Sequence, residues 1–310
     1  MPAPVSQSRF ITPQTLAAIA SLPLLAKTVV DGFMTGGHRN TIAGTGMEFN
    51  QYRSYQDGDD LRRVDWKLFA RSDRYYIRES EIETGIAVHF ILDASASMLE
   101  QEMIDDANKS GLTKFDYARF LVAALGYLAY RQGDAIGLSL MSGEAIRQKS
   151  ARIEPKRHTQ QLARFFHLLE RAMPAGTWPE WTEIEPYFSA TNRREMIVVV
   201  TDMNETITEV QTALSKLSAL HNEVLVCHIL TASETAFAFN GMVTFEDLET
   251  GRSLEVDADA ARTAYKAALA GRLQTIRQSM TEARIDYAAF TTNEPLDAAL
   301  RGYLAARIKL

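Results

Sequence analysis

Residues 85–98 read GIAVHFILDASASM, an apolar run that ends at Asp93 and is followed by two serines at alternate positions. An apolar run of this length, bounded by small polar residues, is typical of a strand buried on both faces. A second such run, MIVVVT at 196–201, also ends on a carboxylate, that of Asp202. Both runs are therefore predicted to be central strands of a sheet.

Short apolar runs alternate with helical patterns from residue 84 onward, which is the pattern of βαβ units. The predicted fold class is α/β, with a mostly parallel sheet and helices on both faces. Predicted strands cover 85–92, 134–142, 196–201, 223–230 and 285–291, with an antiparallel edge strand over 145–153. Predicted helices cover 115–133, 158–173, 206–220 and 258–283, and a last helix begins at Pro295.

Two segments depart from this alternation. An amphipathic helix is expected over 15–26, and the glycines and alternating patterns after it indicate a small amino-terminal β-rich extension. The turn at Glu249-Thr250-Gly251, between alternating segments, predicts a β-hairpin insertion. The predicted division is an extension over 1–83, an α/β domain over 84–236, a hairpin over 237–257, and a helix-strand-helix over 258–310 that completes the α/β fold.

The composition is that of an ordinary folded protein and narrows the function classes. The 310 residues are 46% hydrophobic and 23% charged, and the net charge of −6 argues against a protein that binds nucleic acid over its whole surface. The longest apolar run, 120–130, is short of the roughly 20 residues of a membrane-spanning helix. The single cysteine, Cys227, lies in a predicted strand. We therefore expect a core residue in a reducing, cytoplasmic compartment.

The two strand-end carboxylates are expected to meet if their strands are neighbours. Ligands of open α/β sheets bind outside the carboxyl ends of the strands, where the strand order reverses. Asp93, Ser95, Ser97 and Asp202 would then form an all-oxygen set at this edge of the sheet. Such a set suits a hard cation such as Mg²⁺.

A third loop is expected to reach the same edge. The segment Gly176-Thr177 would add the hydroxyl of Thr177, with Thr182 as the alternative donor. Because few formal negative charges face the ion, it would stay electron-poor and keep an open position for a carboxylate from outside the chain. The pattern therefore predicts a site that binds a partner.

The motif DASAS at 93–97, together with Gly176-Thr177 and Asp202, resembles the metal-ion-dependent adhesion site of von Willebrand factor A domains. In that family a DxSxS motif, a loop threonine and a loop aspartate hold Mg²⁺ or Mn²⁺ at the top of a Rossmann-like sheet. The resemblance covers roughly residues 85–235 and implies the same fold. The metal ligands it implies are Asp93, Ser95, Ser97, Thr177 and Asp202.

Three further segments are similar to the bacterial family called domain of unknown function 58 (DUF58). They are RSYQDGDDLRRVDWKLFARSDRYYIRESEIE at 53–83, FEDLETG at 245–251 and TTNEPLDAALRGYLAAR at 291–307. In that family the gene commonly accompanies one for a MoxR-type AAA+ ATPase. The resemblance thus implies an adaptor or co-chaperone whose partner is that ATPase or its client. No enzymatic activity is established for the family.

Other interpretations of the DASAS motif fit the sequence less well. The turn could simply cap the next helix through Asp93 or Ser95. A phosphatase of the haloacid dehalogenase type requires a second carboxylate where Ser95 stands, and a serine hydrolase requires a Gly-x-Ser-x-Gly elbow and a late histidine. The six histidines form no zinc-binding motif, and His89 and His228 are expected to be core or sheet-face residues within strands.

The sequence thus predicts a non-enzymatic, cytoplasmic interaction protein that binds an acidic side chain of a partner through Mg²⁺ or Mn²⁺. Neither nucleic acid binding nor a membrane span is expected. A metal-dependent hydrolase is the alternative, although no general base is evident beside the motif. A structural scaffold with an empty site is the third hypothesis.

Overall fold

The computed structural model describes residues 21–35, 52–54, 71, 75–78, 85–102, 111–189, 194–204 and 209–307. The strands are β1 (Tyr52–Ser54), β2 (Tyr76–Arg78), β3 (Ala87–Asp93), β4 (Ala135–Met141), β5 (Arg152–Lys156), β6 (Met196–Thr201), β7 (Glu223–Leu230), β8 (Met242–Glu246), β9 (Ser253–Asp257) and β10 (Asp286–Thr291). The helices are α1 (Leu22–Thr35), α2 (Lys114–Arg131), α3 (Gln161–Arg171), α4 (Trp181–Phe188), α5 (Glu209–Ala219), α6 (Ala232–Ala236), α7 (Ala258–Glu282) and α8 (Asp297–Arg307).

Six strands form one sheet in the order β10-β7-β6-β3-β4-β5. Every neighbouring pair is parallel except β4 and β5, which are antiparallel. All six residues of β6 and six of the seven residues of β3 are buried, which is why both sequences are continuously apolar. The predicted α/β class with a mostly parallel sheet is confirmed, and β3 and β6 are neighbours as expected.

Two buried clusters lie on the two faces of this sheet. Phe90 and Leu92 of β3 belong to a cluster with side chains of α2, whereas Ile91 belongs to a second cluster with side chains of α5 and α7. The alternation follows from the two-residue period of a strand. Helix α2 itself begins with a capping box, in which Thr113 and Asp116 each accept a hydrogen bond from the other's backbone N–H. The sheet that carries the strand-end carboxylates is therefore covered by helices on both faces.

The predicted position of the edge strand, 145–153, is wrong, because β5 begins only at Arg152. The residues after β4 form turns around Ser142, whose hydroxyl accepts from the Ala145 N–H at 3.1 Å and whose carbonyl accepts from the Ile146 N–H at 2.9 Å. A 3-10 helix over Lys149–Ala151 follows. The chain therefore joins the sheet as an antiparallel strand later than its alternating pattern indicates.

Most of the predicted helices are present, and two short ones were not predicted. α2, α3, α5, α7 and α8 lie close to the segments in which the apolar spacing predicts them. α4 contains Pro186, and α6 has only five residues. In both segments the helical spacing of apolar residues is too short to distinguish the sequence from that of a loop.

Helix α1 packs on α2 and extends the core. Leu25, Val30 and Phe33 are fully buried in the cluster that contains the α2 side chains. The amino-terminal helix predicted over 15–26 thus begins at Leu22, and residues 1–20 lie outside the described residues. None of the helices in the described part of the chain is both long and apolar enough to cross a membrane.

Two small antiparallel pairs accompany the main sheet. β1 pairs with β2, although most of residues 36–84, where the β-rich extension is predicted, lie outside the described residues. β8 pairs with β9 to form the predicted hairpin, whose turn covers 247–252. The division of the chain into four segments stays a prediction.

The cysteine is buried, as predicted, and of the two positions open to the strand histidines, core or sheet face, both occupy the core. Cys227 is enclosed in β7, and burial raises the pKa of its thiol to about 12. His89 Nε2 lies 2.8 Å from Ser139 Oγ, and His228 Nδ1 lies 2.7 Å from Tyr287 Oη. The two histidine side chains are thus held by hydrogen bonds to the neighbouring strands β4 and β10.

Gly126 allows α2 and α3 to approach closely. A Cβ at this position would lie 2.5 Å from two ring carbons of Phe165. That ring is fully buried and packs edge-on against Phe90, with centroids 5.6 Å apart. The helix contact therefore has no room for a methyl group.

We expect Gly126→Ala to lower the free energy of unfolding by about 1–3 kcal/mol, because the added methyl displaces Phe165. Gly271→Ala is the matched control, since Gly271 also lies inside a helix but nothing is within 4 Å of its Cβ position. At that site alanine should stabilise by about 0.5–1 kcal/mol through helix propensity. Urea unfolding measures both effects, and equal changes at the two positions would contradict the close contact of α2 with α3.

Candidate functional site

The strand order reverses between β3 and β6, and two carboxylates lie at that point. The chain continues from β3 to β4 on one side of β3, and it later returns to place β6 on the other side. Leu92 pairs with Val200, so the two strands end at nearly the same level. Asp93 and Asp202 follow there, with only 2% and 3% of their surface exposed. Both aspartates thus lie where the strand order reverses, as expected if their strands are neighbours.

Asp93 is held by three hydrogen bonds. Its Oδ1 accepts from the Ser95 backbone N–H at 2.9 Å and from Ser95 Oγ at 2.7 Å. Its Oδ2 accepts from Thr201 Oγ1 at 2.6 Å. Thr201, the last residue of β6, is fully buried and was not among the predicted site residues. The carboxylate is therefore fixed from both strands.

The two serines connect Asp93 to Asp202. Ser95 Oγ lies 3.0 Å from Ser97 Oγ. Ser97 Oγ donates in turn to Asp202 Oδ1 at 3.4 Å, and the Asn204 backbone N–H donates to the same oxygen at 3.1 Å. The residues Asp93–Ser97, called the DASAS loop below, thus lie in one hydrogen-bonded chain with Asp202.

The loop before α4 lies against the DASAS loop through its backbone. The Ala175 N–H donates to the Ala94 carbonyl and the Ala96 N–H donates to the Gly176 carbonyl, both at 2.8 Å. Gly176 has a φ of +72°, a conformation that favours glycine. Thr177 follows directly and is exposed. The structure therefore brings the Gly176-Thr177 segment beside the serines.

The alternative donor, Thr182, lies in α4. Its hydroxyl donates to Glu180 Oε2 at 3.4 Å. Trp178, between the two threonines, is buried, whereas Trp181 is half-buried. Of the two threonines, Thr177 belongs to the segment that contacts the DASAS loop.

A buried lysine lies behind Asp202. Lys114, the first residue of α2, is fully enclosed, and its Nζ lies 2.5 Å from Glu100 Oε2, 3.0 Å from Glu234 Oε1 and 3.4 Å from Asp202 Oδ2. Burial acts to lower the pKa of this ammonium, but the three carboxylates outweigh burial and raise the pKa above its ordinary value. The lysine is therefore held in its charged form.

The carboxylates outnumber this one cation. Burial, and then the charge of Asp202, raise the pKa of Asp93 from 3.8 to about 7, against the opposing hydrogen bonds of Thr201 and Ser95. Burial likewise raises the pKa of Glu100 to about 7, although Lys114 opposes the shift. Burial thus makes both of these carboxyl groups take up a proton at a higher pH than an exposed carboxyl group does.

The tip of the β8–β9 hairpin brings a further carboxylate to the DASAS loop. Burial raises the pKa of Glu249, and hydrogen bonds from the side chain and backbone of Ser97 partly offset this effect. Among the described residues, no three His, Cys, Asp or Glu side chains converge in the manner of a metal cluster. The donors here are instead a mixture of hydroxyls and carboxylates.

Part of this site is predicted from the sequence, since the structure places the DASAS loop, Asp202 and the Thr177 loop together at one edge of the sheet. The predicted set does not include Thr201, Lys114, Glu100, Glu234 or Glu249. Thr201 could have been found from its position beside Asp202, but Lys114 and the three glutamates have no local signal.

A model of the family described as "Protein of unknown function DUF58" matches residues 51–275. The chain belongs to the DUF58 family. Uncharacterized proteins of Mycobacterium bovis and of two strains of Mycobacterium tuberculosis are similar to this DUF58 protein, each 29% identical over 250 residues. The match covers 80% of this chain and 75% of each relative.

Two solved structures resemble this DUF58 protein distantly. One is an aerotolerance-related membrane protein from Bacteroides fragilis, with 17% identity, a TM-score of 0.45, and coverage of 73% of this chain and 100% of the other. The second is the conserved hypothetical protein BatB from Bacteroides thetaiotaomicron, with 16% identity, a TM-score of 0.44, and coverage of 73% and 98%.

Proposed function

We propose that this DUF58 protein is a metal-dependent protein-interaction module. In this proposal a von Willebrand factor A-like, Rossmann-type domain holds Mg²⁺ or Mn²⁺ at the DASAS loop, and the ion receives an acidic side chain of a partner. From the sequence resemblance, the proposed partner is a MoxR-type AAA+ ATPase or its client, for which the protein acts as an adaptor or co-chaperone. We propose neither catalysis nor nucleic acid binding for this protein, and we propose that it acts in the cytoplasm.

The observation that carries the proposal is the contact between two serine hydroxyls. Ser95 Oγ donates to Asp93 Oδ1 at 2.7 Å, and Ser97 Oγ lies 3.0 Å from Ser95 Oγ and 3.4 Å from Asp202 Oδ1. The two hydroxyl oxygens are thus held side by side between two buried carboxylates. A cation in contact with both oxygens would use their lone pairs as ligands. Neighbouring ligands of an octahedral ion at about 2.0–2.1 Å are about 3 Å apart, so this spacing suits Mg²⁺.

The balance of charge supports a cation at the same place. Asp93 and Asp202 are both buried, and burial, followed by the charge of Asp202, raises the pKa of Asp93. The ammonium of Lys114 lies on the Asp202 side and is shared with two glutamates. A divalent ion would supply the missing positive charge.

The residues that would hold the ion are those of the predicted set. Ser95, Ser97 and Thr177 would contribute hydroxyls, and the two aspartates would bind directly or through water. Thr177 is preferred to Thr182, because its loop hydrogen-bonds to the backbone of the DASAS loop. A bound Mg²⁺ would supply Lewis acidity toward an incoming carboxylate.

The surroundings support binding rather than hydrolysis. His228 is only 2% exposed, its Nδ1 contacts Tyr287, and burial lowers its pKa to about 4. A histidine in this position cannot reach a substrate as a general base. Turnover of generic phosphate esters that disappears in Asp202→Ala would instead support the metal-dependent hydrolase.

Titration calorimetry with Mg²⁺ tests the proposal. We expect saturable binding to the wild type, and a loss of about 10–100-fold or more in affinity in Asp93→Ala and Ser97→Ala, because each removes an oxygen at the site or one that orients it. Asp134→Ala is the matched control, since Asp134 is as buried as Asp93 but precedes β4 at the opposite end of the sheet. Equal heats for the wild type and Asp93→Ala would reject a metal site here.

A further inference from the structure

The turn of the β8–β9 hairpin, residues 247–252, places Glu249 against the DASAS loop. Ser97 is a near neighbour of this carboxyl group: its hydroxyl and its backbone N–H act to lower the pKa of Glu249, against the larger raising effect of burial. One carboxylate oxygen, Oε1, is shielded from solvent and, among the described residues, has no hydrogen-bond partner. A shielded carboxylate oxygen without a donor is costly. It is therefore a group that a cation beside Ser97 would satisfy.

The tip is built to hold Glu249 in this position. Asp247 Oδ1 accepts from the backbone N–H of Glu249 at 2.9 Å and of Thr250 at 3.2 Å, and Asp247 Oδ2 accepts from Thr250 Oγ1 at 2.6 Å. Gly251, with a φ of +69°, closes the turn by donating its N–H to the Asp247 carbonyl at 2.7 Å. The backbone of Glu249 is thus fixed by its own turn rather than by the sheet domain.

The hairpin packs on the rest of the chain through one aromatic side chain near its turn. Phe245 contacts Phe237 and Phe239, with ring centroids 6.2 and 5.1 Å apart, and Phe237 in turn contacts Tyr265 of α7 at 4.4 Å. The strands are otherwise mostly exposed, and apolar side chains such as Met242 and Leu254 have 63% and 65% of their surface in solvent. The turn that carries Glu249 lies beyond these aromatic contacts, so it can leave the DASAS loop without opening the core.

We infer that Glu249 is an internal acidic ligand of the proposed cation site, occupying the position that an acidic side chain of a partner would take. The inference rests on the proposed function, because it requires a cation at the DASAS loop. A partner then gains the site only by displacing the hairpin tip. Because a tethered group has an effective concentration in the millimolar range, a single free carboxylate competes poorly with it.

The first test compares Mg²⁺ binding to the wild type, Glu249→Gln and Glu246→Gln. Glu246 is the matched control, since it is exposed on the same hairpin. We expect Glu249→Gln to weaken Mg²⁺ binding about tenfold or more and Glu246→Gln to leave it unchanged. We also expect Mg²⁺ to slow amide hydrogen exchange over 247–252 in the wild type and in Glu246→Gln, but not in Glu249→Gln.

The second test supplies the tip from outside as a peptide of residues 245–252. In the presence of Mg²⁺, the peptide should bind Glu249→Gln and be released by EDTA, whereas the wild type should not bind it at the same concentration. The control peptide carries glutamine in place of the glutamate corresponding to Glu249 and should bind neither protein. Equal binding of the first peptide to both proteins would contradict an internal ligand.

The outcomes separate this inference from the proposed function. If Asp93→Ala loses Mg²⁺ while Glu249→Gln keeps the affinity and the Mg²⁺-dependent protection of the wild type, the metal site stands and the internal ligand is refuted. If the wild type binds no Mg²⁺, the proposed function fails and the inference fails with it.

Discussion

Replacing Lys114 by methionine is expected to lower the free energy of unfolding by about 3–5 kcal/mol, because it leaves buried carboxylates without their cation. The lysine is fully enclosed and lies within 3.4 Å of carboxylate oxygens of Asp202, Glu234 and Glu100. Methionine fills a similar volume, so the loss reports charge rather than a cavity. Urea unfolding at neutral pH without divalent ions measures the effect.

Lys156→Met is the control for this experiment. Lys156 also faces a carboxylate, with its Nζ 3.7 Å from Glu154 Oε2, but both side chains are 63% exposed. An exposed ion pair of this kind contributes about 0–1 kcal/mol. Adding Glu234→Gln to Lys114→Met should recover part of the loss. Equal, small effects of the two lysine substitutions would contradict the role of Lys114 as the counter-charge of the site.

Asp93→Asn is expected to raise the free energy of unfolding, in contrast to Lys114→Met. At pH 8 the metal-free protein should be stabilised by about 2–4 kcal/mol. The pKa of Asp93 is raised from 3.8 to about 7 in the folded protein. The unfolded chain therefore releases this proton first as the pH rises, so the contribution of Asp93 to stability falls between about pH 4 and pH 7 and stays low above. Asparagine removes the charge and keeps the shape of the side chain.

Divalent ions should reverse the order of stability, so that the wild type becomes more stable than Asp93→Asn. At a Mg²⁺ concentration 100 times the dissociation constant, the wild type should gain about 2.7 kcal/mol, and Asp93→Asn should gain little. Asp134→Asn is the control, because it changes a buried aspartate at the other end of the sheet. Thermal or urea unfolding with Mg²⁺ and with EDTA measures both parts. If Asp93→Asn destabilised the metal-free protein, the buried charge of Asp93 would not be unfavourable at pH 8, contrary to this prediction.

The fold and half of the site could be predicted because their signals are local. The apolar runs of β3 and β6 mark strands that are buried on both faces, and each ends on an aspartate. The sheet then brings the two aspartates together once the strands are neighbours. The antiparallel edge strand was harder to place. The residues that follow Ser142 alternate between apolar and polar as a strand does, but they form turns.

The rest of the site could not be predicted because it depends on tertiary contacts. Lys114 stands at the start of a helix, where a lysine is ordinarily solvated, and it is buried only because carboxylates from three distant segments surround it. Glu249 lies in a turn that the sequence identifies as an insertion, and nothing local shows that its tip reaches Ser97. The side chains between 57 and 74, which carry part of the family resemblance, lie outside the described residues except Arg71.

An anomalous-difference map from crystals of the protein grown or soaked with Mn²⁺ tests whether a cation binds at the DASAS loop. We expect a peak there, within about 2–2.5 Å of the hydroxyl oxygens of Ser95 and Ser97. Asp93→Ala crystals treated in the same way should lack this peak. A wild-type map without a peak at those two oxygens, at a Mn²⁺ concentration that saturates surface sites, would rule out the proposed cation site.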